Sequence, residues 1–143
     1  VPHPCVRRAR LMRMPTPRIK LLFYAEVVIN TISAVMVFAF GGAFLRSFNL
    51  DPALPLVSES LGWFGALLVV ITVIMARALL SDNEQALRFV IEGYLIGDVV
   101  YLIVLARWLS AAGAGWSIGA AVAVGLTLVL IVGRIVYLAR PAA

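Results

Sequence analysis

The sequence predicts an all-α membrane protein, a four-transmembrane-helix bundle running up-down-up-down with both termini in the cytoplasm. Three observations carry this expectation. Of 143 residues, 63% are hydrophobic and 13% charged, with a mean hydropathy of +1.03, whereas an ordinary soluble domain is about 45–50% apolar and about 25% charged. The apolar residues fall into four runs, each long enough to cross about 30 Å of hydrocarbon at about 1.5 Å per residue. Ten of the twelve basic residues collect on one side of those runs, and an excess of Lys and Arg marks the cytoplasmic side.

Residues 1–19 read as a basic cytoplasmic tail carrying Arg7, Arg8, Arg10, Arg13 and Arg18, a charge pattern that attracts anionic lipid. The first residue is Val1, and Met12 and Met14 are candidate starts. Cys5 and His3 stand alone in this tail. The sequence therefore encodes no intrachain disulfide, no histidine-based metal set and no catalytic triad within the spans. Residues 20–140 form the four-helix transmembrane domain, which leaves no room for a soluble catalytic domain.

Span one covers residues 21–45. Its apolar part is far longer than the 7–15 residues of a signal h-region and holds Glu26 and Asn30, so it reads as a retained span. Gly41-Gly42 near its end predicts a kink or a terminus. The loop "RSFNLDPALPLVSES" contains Asp51-Pro52, which matches an N-cap followed by proline and predicts a short surface helix.

Span two covers 61–80 and ends beside Arg77. Ser81 and Glu84 have capping-box spacing and predict the start of span three, at 86–109. Span four, 116–138, follows "SAAGAG", too short for anything but a tight hairpin. Trp63, Trp108 and Trp116 all fall at the outer boundary of this frame, with Tyr24 and Tyr137 near the inner one. That is where aromatic interface anchors belong.

An ionisable side chain near the bilayer centre costs about 2.5–3.5 kcal/mol on insertion scales, and such groups turn inward to find partners. Counting rise from the cytoplasmic edges, Glu26, Arg77, Glu92 and Arg134 lie roughly 5–9 Å inside, and Asn30 and Asp98 about 15 Å. Glu84, Arg88 and Glu92 form a ladder at four-residue spacing, which lets Glu92 snorkel to cytoplasmic water. Asp98 has no such escape, because its neighbours on the same face are Tyr94 and Tyr101. It requires a partner from another helix. We therefore expect an inner-leaflet polar cluster of Glu26, Asn30, Arg77, Tyr94, Asp98, Tyr101 and Arg134. Two G-x-x-x-G pairs, Gly93 with Gly97 and Gly115 with Gly119, predict close helix packing, within the bundle or across a homodimer face.

Several classes are excluded. No Glu-x-x-His pair supports a di-iron site, no phosphate-loop motif exists, and the serines lack a base pattern. The basic balance reports orientation rather than nucleic-acid binding, and no metal or cofactor is expected.

The order of features is a basic start, a proline-containing loop after span one, an arginine closing span two, an acid-containing span three and a tight last hairpin. It resembles the layout of the DoxX-like group of small four-helix bacterial membrane proteins over residues 20–140. The resemblance covers span order and transfers no residue role.

Three readings of function follow. The leading one is a non-enzymatic multi-pass protein of the bacterial inner (plasma) membrane, an accessory or subunit packing against a membrane protein partner or its own copies, with the cluster organising the bundle. The second is a lipophilic-ligand protein binding a lipid, quinone or isoprenoid, or a membrane isomerase using Asp98 and Glu26. The third is a proton-coupled small exporter acting as an oligomer.

Overall fold

A computed structural model describes residues 17–81, 83–111 and 116–140. The basic tail before Pro17, Cys5, His3 and Gly115 lie outside these residues. The described chain is four helices without a strand: α1 Pro17–Ser47, α2 Pro55–Leu80, α3 Glu84–Ala111 and α4 Ile118–Leu138. Each is long and apolar enough to cross a membrane.

Around the bundle, α1 packs on α2 and α4, and α3 packs on α2 and α4. The start of α1 lies against the ends of its two neighbours. Tyr24 donates to the Leu79 carbonyl at 3.4 Å, and Phe23 meets Tyr137 edge-on with centroids 5.5 Å apart. We call this the near end. At the far end, the start of α4 touches the end of α1 through Gly119.

The surface is the inverse of a soluble bundle. Phe89, Ile96, Val100, Ile118 and Val132 are all exposed, so apolar side chains cover the outside as well as the inside. A helix apolar all round belongs in lipid or in a large core, and the four described helices enclose no such core. The densest packing is at the near end, where Phe23, Met75, Ala78, Leu79, Leu87, Ile91 and Tyr137 form one buried cluster.

The boundaries differ from expectation at three places, each through local hydrogen bonding. First, α1 ends at Ser47 rather than at residue 45, while the break expected at Gly41-Gly42 is present as a kink, with non-helical φ/ψ at neighbouring Phe40 (−134°, 34°). Leu50 N–H donates to the Leu45 carbonyl and Asn49 N–H to that of Arg46, both at 3.0 Å, with Asn49 at φ 58°. That is a Schellman end with asparagine in the left-handed position.

Second, Asp51 starts no surface helix. Its Oδ1 accepts from Ala53 N–H at 2.9 Å, closing a turn, and α2 begins at once with Pro55 at its first position. The surface helix predicted there is in fact the extended first turns of α2. Third, Ser81 does not cap α3: its hydroxyl donates back to the Ala78 carbonyl at 2.8 Å. Asn83 takes the capping role, its Oδ1 accepting from Ala86 N–H at 3.0 Å. For α4, the Ser117 hydroxyl accepts from Ala120 N–H at 3.1 Å.

Candidate functional site

Three helices each contribute one ionisable residue to a buried point between the near end and the middle of the bundle. α1 places Glu26 one turn after Phe23, on the same inward face. α3 places Asp98 two turns past buried Ile91. α4 places Arg134 one turn before buried Tyr137. Helical periodicity alone aims all three inward.

Arg134 is fully buried and Glu26 is 3% exposed. The Arg134 Nη2 donates to Glu26 Oε1 at 2.5 Å, and its Nη1 forms an ion pair with Asp98 Oδ2. The Asp98 side chain keeps 19% of its surface accessible. The Tyr94 ring lies under the guanidinium, 5.2 Å from its centroid, a cation–π contact worth most where water is excluded. The Tyr94 hydroxyl donates to the Ile71 carbonyl, so the ring is tied to α2. One guanidinium thus links α1, α3 and α4 directly and α2 through tyrosine. Four buried atoms make no hydrogen bond: Arg134 Nη1 and Asp98 Oδ2, which face each other in the ion pair, and Glu26 Oε2 and Arg134 Nε, which face no partner.

Of the seven residues expected to cluster, the structure joins Glu26, Asp98, Arg134 and Tyr94. Arg77 is a correction: it is exposed on the outside of α2, because it follows buried Met75 by two residues, which is roughly 200° around a helix. Asn30 is half-buried and, among the described residues, makes no hydrogen bond to the cluster. Tyr101 is likewise half-buried without a bond to it. Glu92 is exposed, as the snorkelling ladder implies.

The glycine expectation also divides. A Cβ on Gly93 or Gly97 would meet nothing within 4 Å, so these two do not pack inside the bundle. Both face away from Ile91 on an exposed side of α3. Gly119 does pack: a Cβ there would lie 2.7 Å from the Ser47 carbonyl oxygen. Sequence reasoning missed Gly65, where a Cβ would sit 2.6 Å from Val37 Cγ1, and Gly133, where it would overlap Leu22. Neither belongs to a spaced pair, so no pattern flagged them. Trp63 and Trp116 have exposed side chains and Trp108 is half-buried; Trp108 and Trp116 lie close to far-end helix termini, whereas Trp63 sits more than two turns inside α2.

A second lock at the near end was also not foreseen. Arg88 donates to the carbonyls of Leu138 at 2.7 Å and Arg140 at 2.8 Å, satisfying the open C-terminus of α4. Tyr137 donates to Glu84 Oε1 at 2.5 Å. The Glu84–Arg88 spacing was visible, but its partner on α4 was not.

Away from the triad, an apolar groove of about 560 Å³ runs between α1 and α2, lined by Thr31, Ala34, Val35, Phe38, Ala39, Val69, Thr72 and Val73. Its two threonines satisfy themselves on their own helices, Thr31 on Val27 and Thr72 on Leu68. No ionisable residue lines it. Among the described residues, no group of three or more His, Cys, Asp and Glu side chains is placed to hold a metal.

Fold and site together are those of a small multi-pass membrane protein with an internal ion triad. No family model, no curated protein and no solved structure matches the chain.

Proposed function

We propose that this chain is a non-catalytic accessory or subunit of a bacterial inner-membrane assembly, with both termini cytoplasmic and the ion triad fixing the order of its helices. The observation that carries the reading is Arg134, fully buried and paired with both carboxylates. Buried polar groups with internal partners specify helix register more reliably than they add stability. The orientation rests on the ten basic residues gathered at one side, and the partner on the outward, open faces of Gly93 and Gly97. The DoxX-like layout agrees with this reading in span order alone.

Mass spectrometry of the protein purified in mild detergent tests it. A stoichiometric membrane partner or second copy is expected, lost in Gly93→Leu/Gly97→Leu while the bundle stays folded. A partner-free monomer, or one partner retained unchanged by that variant, contradicts the reading.

The groove between α1 and α2 favours one other reading, a lipophilic-ligand protein holding an acyl or isoprenoid chain. In that case a defined lipid or quinone copurifies, and Thr72→Phe, which fills the groove, releases it.

A further inference from the structure

The triad contains two carboxyl groups and one guanidinium. Fully ionised, it would hold a net charge of −1 within the membrane-spanning bundle. A lone buried charge is among the most expensive things a fold can hold, and a carboxyl in that position sheds the charge by taking up a proton.

Among the described residues, no second cation pairs with it. From α1 only Glu26 faces the triad. From α2 no titratable side chain does, since Arg77 and Glu59 are exposed. From α3 come Asp98 and Tyr94, whose hydroxyl is engaged with the Ile71 carbonyl, and from α4 Arg134 alone. Among the described residues, both ion pairs of the cluster use that one arginine.

The two carboxyls are not equivalent. Glu26 is 3% exposed, and while its Oε1 accepts from Arg134, its Oε2 is buried with no donor. Asp98, by contrast, has its Oδ2 held directly against Arg134 Nη1 in an ion pair.

We propose that the triad is a proton-binding site, with the proton on Oε2 of Glu26, while Asp98 and Arg134 form the ion pair. The Glu26 Oε1 still accepts from Arg134, and the buried charges then balance. This depends on the triad geometry alone and stands whether or not the chain has a membrane partner. The folded chain binds a proton that the unfolded chain releases to water near neutral pH, so stability falls as pH rises through the loss of that proton.

Infrared spectroscopy of the protein in lipid vesicles at neutral pH tests the proposal directly. The wild type should show the carbonyl stretch of a protonated carboxyl group. Glu26→Gln should lose it and Glu92→Gln should keep it. Asp98→Asn should also lose it, because Glu26 then ionises to become Arg134's sole partner. Thermal stability should fall with rising pH in the wild type and stay level in Glu26→Gln. The wild-type measurement requires no variant to fold. Absence of the band there, its survival in Glu26→Gln or Asp98→Asn, or a pH response unchanged by Glu26→Gln overturns the assignment.

Discussion

A guanidinium held between two carboxylates behaves differently from three separate charges. Removing one member leaves its partners buried and unpaired, which costs about 3–5 kcal/mol where the lost group was the shared one. Asp98→Asn is milder, because Arg134 keeps Glu26: a loss of about 1–3 kcal/mol is expected, read by thermal unfolding in detergent. Arg77→Gln and Glu92→Gln, both at exposed positions, should change stability by less than about 0.5 kcal/mol in the same assay. A larger loss at Arg77 would return it to the cluster. The contrast also shows what was legible at this scale. Depth and helical spacing place Glu26, Asp98 and Arg134 in one cluster, but together with Asn30, Arg77 and Tyr101, which do not join it. Arg77 was misplaced because depth alone does not say which way a helix faces, and its two-residue offset from buried Met75 turns it outward.

At the scale of elements, boundaries follow local hydrogen bonds rather than hydropathy. Asn83 rather than Ser81 opens α3, because the serine is already committed to the end of α2. Asn83→Ala should cost about 1 kcal/mol, and Ser81→Ala less, by the same unfolding measurement. The glycines separate in the same way. Gly119→Leu must push against the Ser47 backbone carbonyl, and overpacking of this kind costs about 1–3 kcal/mol. Gly97→Leu meets open space and should leave the monomer within about 0.5 kcal/mol. Equal losses at the two positions would contradict the packing described. Spacing found Gly93 and Gly97, but only the rotation of α3 shows that they look outward.

For the whole molecule, composition and the four long apolar runs together predict four helices with apolar exteriors, since a sequence that is 63% hydrophobic cannot bury so much inside itself. The near-end concentration of the core was not legible, because inward and lipid-facing positions are equally apolar. Reporter fusions at the C-terminus should behave as cytoplasmic, and activity of a periplasmic reporter there would overturn the orientation. The central claim, that Arg134 is required because it pairs with Glu26 and Asp98 at once, is tested most directly by a stability cycle in detergent. Arg134→Met alone should lose about 3–5 kcal/mol, and the combined Glu26→Leu/Asp98→Leu/Arg134→Met chain should recover most or all of it. A harmless Arg134→Met, or a combined variant no more stable than the single one, would contradict the claim.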